Sequence, residues 1–284
     1  MKSVEKKAYA KINLSLDVVR RREDGYHDLE MIMQQIGICD IIRVEETEGS
    51  EIEISADGGN IPTDSDNIVY KISYTLKERF NIGKGVRIHI EKNIPVAAGL
   101  AGGSTDAAAV MMILNEIWNL DMDKDEMTDI AKNIGADIPF FFYGKTALAE
   151  GIGEKITPLS DFSGRKILLV NPGVPVNTGH VYKNLKLNEN LKRPDNKELI
   201  EFIENGETQK LAENMANVLE SVTIAEHPVI DEIKKEMMDC GALGSMMSGS
   251  GPTVFGIFDK DSTIETAYEK MKEKYKTALI TETI

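Results

Sequence analysis

The residues with the clearest capacity for chemistry form one glycine-rich stretch, Pro95-Val96-Ala97-Ala98-Gly99-Leu100-Ala101-Gly102-Gly103-Ser104-Thr105, which runs on into Asp106 and three alanines. It stands between an alternating apolar segment (86–91) and an apolar segment of helical period. Gly99, Gly102 and Gly103 permit positive φ and close backbone approach. Successive N–H groups leading into a helix N-terminus can cradle an anion such as phosphate. Ser104 and Thr105 add hydroxyls for phosphate or for a magnesium ion. The competing reading is a flexible connection whose glycines only ease packing, but three glycines and two hydroxyls at a helix start favour the anion site. The chain has neither GxxxxGK[ST] nor GxGxxG, so the two best-known phosphate loops are disfavoured.

Lys11 and Asn13 are a second candidate pair. The run 7–16 alternates, with Ala8, Ala10, Ile12, Leu14 and Leu16 on one face and Lys7, Tyr9, Lys11, Asn13 and Ser15 on the other. Lys11 and Asn13 can therefore reach one ligand. The charged turn Arg20–Asp24 with Gly25 joins this strand to another over Leu29–Ile38, a hairpin whose far end presents Tyr26, His27 and Asp28.

The elements that must position these residues are mixed. Strands are expected at 41–46, 51–55 and 86–91. Helical spacing joins Ile68, Ile72 and Leu76, and also Val110, Leu114 and Ile117. Asp123 with Glu126 fits a capping box for a helix that stops at Gly135. Residues 140–158 read as strand, turn and strand. Beyond a polar stretch near 155–165, KILLV (166–170) is a buried strand. Helices follow at 197–204, 207–219 and 228–239, then strands at 253–258 and 277–282 around a helix at 263–274. Strands and helices without βα periodicity suggest two α+β domains, divided as 1–158 and 159–284.

Composition excludes several classes. With 33 basic and 47 acidic residues the net charge is −14, which argues against a general nucleic-acid or membrane-surface binder. No apolar run approaches a membrane span, and MKSVEKKAYAKINL carries charges where a signal peptide is apolar. Cys39 and Cys240 show no CxxC spacing, and the four histidines no HxxxH or HExxH spacing, so neither a disulfide framework nor zinc is indicated. A soluble, reduced, cytoplasmic enzyme is expected.

The run P-x-x-x-G-L-x-G-G-S-T-D-A-A resembles the nucleotide motif of the GHMP kinase superfamily, named for galactokinase, homoserine kinase, mevalonate kinase and phosphomevalonate kinase. SGSGPTVFGIF (248–258) resembles its third, glycine-rich motif. AKINLSLDVVRRREDGYHDL (10–29) and GADIPFF (135–141) are similar to the branch that acts on a cytidine-diphosphate derivative of methylerythritol in non-mevalonate isoprenoid synthesis. Positions 97, 98 and 101 depart from the pattern, carrying alanine where many members carry glycine.

The resemblance implies an N-terminal nucleotide-binding domain like domain 2 of ribosomal protein S5 and a C-terminal ferredoxin-like domain that contributes to substrate binding. It implies ATP and Mg2+, a small-molecule acceptor phosphorylated on its 2-hydroxyl, and a monomer or weak homodimer. Asp137 matches the catalytic aspartate and Lys11 the catalytic lysine. Tyr26 and His27 match positions that recognise the cytosine ring; beside them Tyr182 is expected as a second stacking ring, Thr178 to touch the substrate diphosphate, and Asn13 to orient the substrate or Lys11. Asn67 and Lys92 match residues around adenine. On their own, Asp137 reads as an aspartate in a turn, Asn67 as a helix start and Lys92 as a solvated strand end. A kinase for another small alcohol, such as homoserine, or a silent ligand-binding homologue are the alternatives.

Overall fold

The computed structural model describes residues 2–188 and 191–284. Along the chain run β1 (Ser3–Arg21), β2 (His27–Thr47), β3 (Ile52–Asp57), α1 (Ile68–Phe80), β4 (Gly85–Glu91), α2 (Gly102–Ile117), α3 (Lys124–Ala131), α4 (Phe140–Tyr143), β5 (Thr146–Gly151), β6 (Lys155–Pro158) and β7 (Lys166–Asn171). There follow α5 (Thr178–Asn184), α6 (Asn196–Glu204), α7 (Thr208–Asn214), α8 (Glu220–Glu226), α9 (Val229–Asp239), β8 (Gly244–Met247), β9 (Val254–Phe258), α10 (Asp261–Lys274) and β10 (Thr277–Glu282). No helix among the described residues is long and apolar enough to cross a membrane.

Two compact units are interleaved in sequence. One comprises residues 1–10, 38–96 and 101–143; the other comprises 11–37, 97–100 and 144–284.

In the first unit β4 pairs parallel with β3 and antiparallel with residues 41–47 of β2. Val86, Ile88 and Ile90 are fully buried while Arg87 is exposed, as the period-2 pattern requires. Helices α1 and α2 pack on each other, and α4 packs on α2. Asn67 starts α1 by accepting the Val69 N–H at 2.8 Å, and Asp123 starts α3 by accepting that of Glu126, also at 2.8 Å.

Local expectations change at three places here. Residues 29–38 and 41–46 are one continuous strand, β2. Helix α3 ends at Ala131, and turns follow. Gly135 is no left-handed cap; it makes room, since a Cβ there would lie 2.9 Å from Ile68 Cδ1. Phe140–Tyr143 is a short helix rather than a strand, with its three phenylalanines all buried.

In the second unit residues 29–34 of β2 pair antiparallel with β5, and β5 with β6. A four-stranded antiparallel sheet has the order β10-β7-β9-β8. With α9 between β7 and β8, and α10 between β9 and β10, this is a βαββαβ unit with its last strand beside its first, the ferredoxin-like arrangement expected. The helix expected over 207–219 ends at Asn214. Residues 216–218 instead lie extended against β1, where Leu16 donates to Ala216 and Val218 donates back to Leu16, both at 3.0 Å.

Candidate active site

The glycine-rich stretch contributes to both units. In the first unit α2 begins at Gly102 with Ala101 as its N-cap, in the left-handed region at φ 55°. Alanine has no side-chain acceptor, so the first N–H groups of a 16-residue helix are left without one from the cap. Gly103 is exposed, Ser104 half-buried and Thr105 buried, so Ser104 is the hydroxyl accessible to a ligand. Pro95 and Val96 lead into the stretch, and Val96 is exposed.

In the second unit Ala97 also has positive φ, at 53°, and Gly99 lies at 76°. Ala98 and Leu100 are buried, backbone included. Gly99 admits no other residue: a Cβ would fall 2.2 Å from the Ser248 carbonyl oxygen. The Gly99 carbonyl accepts from Ser248 Oγ at 3.0 Å and from Lys11 Nζ at 3.2 Å. The third glycine motif thus packs directly on this part of the first.

Lys11 is 4% exposed. Its ammonium donates to Asn13 Oδ1 at 2.7 Å, and its backbone N–H donates to the Leu100 carbonyl at 3.2 Å. Asn13 is itself buried and turns its amide toward Met31 Sδ at 3.3 Å. The pair read from strand alternation is therefore in contact, and the ammonium has a fixed orientation.

The β1–β2 hairpin is closed by Arg22 N–H donating to the Tyr26 carbonyl at 2.8 Å. Arg20 and Arg22 both pair with Asp28. His27, half-buried at the start of β2, faces Tyr182 of α5, ring centroids 5.4 Å apart. Burial, and secondly the positive charge of Arg21, push the imidazole below its ordinary value of 6.5. Tyr26 is 61% exposed. Thr178, at the start of α5, is hydrogen-bonded to Ser250 Oγ at 2.7 Å. His27, Tyr182, Thr178 and the third motif are thereby linked within this unit.

Asp137 lies half-buried in the run of turns between α3 and α4. Of the two candidates near the adenine motif, Asn67 is the helix start its residue type suggests and Lys92 differs from its own reading. Asn67 is buried and its amide is engaged locally, since Oδ1 caps α1 and Nδ2 donates to the Pro62 carbonyl at 2.6 Å. Lys92 is no solvated strand end: its side chain is 4% exposed and ion-paired to Asp40 and Asp106.

Asn217 escaped sequence reasoning. Buried, it donates from Nδ2 to the carbonyls of Met247 at 2.9 Å and Gly249 at 2.7 Å, holding the third motif in place. Its surroundings look helical in sequence, and no local signal marks it. Among the described residues no three His, Cys, Asp or Glu side chains group as a metal site.

Residues 67–145 match the family model for the GHMP kinases N terminal domain, and 187–277 that for the GHMP kinases C terminal domain. A protein of Alkaliphilus oremlandii named 4-diphosphocytidyl-2-C-methyl-D-erythritol kinase is 51% identical over 284 residues, covering 100% of this chain and 97% of that one. A protein of the same name from Acetivibrio thermocellus is 51% identical, covering 100% of both chains. A crystal structure of 4-(cytidine 5'-diphospho)-2C-methyl-D-erythritol kinase superposes with a TM-score of 0.84 at 31% identity, over 99% of each chain. Homoserine kinase from Cytophaga hutchinsonii shares the fold, with a TM-score of 0.79 at 18% identity, over 100% of this chain and 95% of that one. The chain belongs to the GHMP kinases, in the group of the 4-diphosphocytidyl-2-C-methyl-D-erythritol kinases.

Proposed function

We propose that this chain transfers the γ-phosphoryl group of ATP to the 2-hydroxyl of 4-diphosphocytidyl-2-C-methyl-D-erythritol, as a step of non-mevalonate isoprenoid synthesis. The observation that carries this reading is the Lys11 ammonium, buried and oriented by Asn13 and by the carbonyl of Gly99 in the glycine-rich stretch. A cation held there suits a reaction whose transition state is highly charged.

Residues 95–105 are assigned to the nucleotide, mainly through backbone N–H groups. The uncapped start of α2 and the open space at Gly103, where a Cβ would meet only Ile68 at 3.7 Å, suit a phosphate chain. Asn67 and Lys92, which resemble residues around the adenine, have their polar groups engaged within the protein. Mg2+ would arrive largely on the phosphates and neutralise their charge. The half-buried Ser104 hydroxyl fits as a protein oxygen for it.

Asp137 accepts the proton of the 2-hydroxyl as that oxygen bonds to the γ-phosphorus and the bond to the β–γ bridging oxygen breaks, releasing ADP. Lys11 stabilises the negative charge on the acceptor oxygen and the moving phosphoryl group. His27, Tyr26 and Tyr182 hold the cytosine, Thr178 the diphosphate and Asn13 the erythritol part. This gives residues 1–158 the nucleotide and residues 159–284 a share of the acceptor.

A coupled ADP-release assay tests the reading, with the cytidine-linked acceptor, the same acceptor without its base, and homoserine. Turnover with the first and little with the others is expected. Equal turnover with homoserine, or none with any acceptor, would overturn it.

A further inference from the structure

Three ionisable side chains that no step of phosphoryl transfer uses lie buried together in the first unit. Lys92, just beyond β4, has its side chain 4% exposed, between Asp40 at 0% and Asp106 at 3%. Lys92 Nζ donates to Asp106 Oδ2 at 2.7 Å and also to Asp40 Oδ2. The other Asp40 oxygen accepts two backbone N–H groups, from Asn93 at 2.6 Å and Ile94 at 2.8 Å.

These contacts fall at both ends of the glycine-rich stretch. Asn93 and Ile94 are the residues from which it departs, and Asp106 lies in the helix into which it runs. Gly102, the first residue of α2, rests on the cluster: a Cβ there would lie 3.3 Å from Lys92 Nζ and 3.1 Å from Ile94 Cγ2. Entry and exit are therefore fastened to the same three side chains.

We propose that Asp40, Lys92 and Asp106 are positioning residues that staple the two ends of the glycine-rich stretch, setting nucleotide affinity without touching the nucleotide. This rests on the reading of residues 95–105 as the ATP site.

Burial pushes the Asp106 carboxyl well above its usual range, against the opposing pull of Lys92, and its Oδ1 is buried without a hydrogen-bond partner.

The test uses the full chain, with steady-state kinetics, calorimetric binding of a non-hydrolysable ATP analogue, and thermal melting. Asp40→Ala and Asp106→Ala should raise the ATP KM and weaken analogue binding about tenfold or more, with the acceptor KM within about twofold of wild type. Asp106→Asn, isosteric and keeping an oxygen for the Lys92 ammonium, should recover most of the affinity lost in Asp106→Ala. If Asp40→Ala does not fold, Asp40→Asn, which keeps an oxygen for the two N–H groups but loses the charge facing Lys92, is measured instead, with the same expected shift. Lower melting temperatures with unchanged analogue binding would reduce the cluster to a structural core element and overturn the proposal. So would an equal rise in both KM values, or an Asp106→Asn variant as weak as Asp106→Ala. A wild-type chain that binds the analogue yet turns over no acceptor counts against the kinase reading alone.

Discussion

The rings of His27 and Tyr182 lie 5.4 Å apart between centroids and are tilted by 32°. One stands at the start of a strand and the other on a helix, 155 residues later in the chain, and the two rings carry the cytosine in the proposed reading. His27→Ala should raise the acceptor KM about tenfold and leave the ATP KM nearly unchanged. Equal rises in both would make His27 a structural residue.

The pH dependence of this pair follows from the lowered imidazole pKa. The group titrates at 6.5 when unfolded and lower when folded, because burial and Arg21 disfavour the charged ring. Between the two values the unfolded chain binds more protons, so this stabilising contribution is complete above 6.5 and lost as pH falls through the folded value. His27 is then neutral at pH 7, able to accept as well as donate. The acceptor KM should be flat from pH 8 to 6.5 and rise below. Proton NMR titration of the His27 ring checks it directly; a midpoint above 6.5 contradicts the reading.

The alanines of the glycine-rich stretch carry strain that glycine would relieve. Ala97 and Ala101 both sit near φ 54°, where a Cβ costs about 1–2 kcal/mol. Replacement by glycine returns about 0.4–1 kcal/mol to the unfolded chain as entropy. Ala101→Gly should thus stabilise by about 0.5–1 kcal/mol and raise the melting temperature by roughly 2 °C. Gly99→Ala is the counter-case, since its Cβ would meet the Ser248 carbonyl at 2.2 Å. Calorimetric melting separates them: a fall for Ala101→Gly would show that this backbone is unstrained.

Elements governed by their own residues were legible in the sequence. Period-2 alternation places Lys11 and Asn13 on one side of β1, and their 2.7 Å contact follows. The Asp123 cap and the ends of α9 and β10 likewise depend on adjacent residues. What was not legible depends on partners distant in sequence. Lys92 looks like a strand-end lysine until Asp40, 52 residues earlier, is placed beside it. Residues 215–218 look helical until Leu16 and the third motif claim their hydrogen bonds. Phe140–Phe142 are apolar without a period, and three consecutive phenylalanines do not declare whether they line a strand or a turn of helix.

Asp137 and Lys11 should differ from the binding residues in what they change. Removing a general base or a fixed cation acts on the transition state, at a typical cost of about 10²–10⁴ in kcat. Asp137→Ala should lower kcat by that order with ATP-analogue affinity almost intact, and Lys11→Met should do likewise. Asn13→Ala, which frees the ammonium from one of its acceptors, should lower kcat less. Wild-type turnover in Asp137→Ala would remove it from its role.

Asn217 offers the most distant test of the site. Its amide satisfies two backbone carbonyls of the third motif, Met247 and Gly249, while its Oδ1 accepts the Leu219 N–H at 3.0 Å. Gly249 in turn packs on Gly99: a Cβ on Gly249 would lie 3.3 Å from the Gly99 carbonyl oxygen and 3.6 Å from Lys11 Nζ. Asn217→Ala leaves buried carbonyls unpaired, which costs about 1–3 kcal/mol for each group, so a lower melting temperature is expected on structural grounds alone. The functional consequence is separate. If the third motif holds the Gly99 carbonyl that orients Lys11, kcat should fall about tenfold in the folded fraction, with both KM values little changed. Measuring kcat at 10 °C, well below the melting transition, isolates this effect, and an unchanged kcat there would disconnect Asn217 from the ammonium.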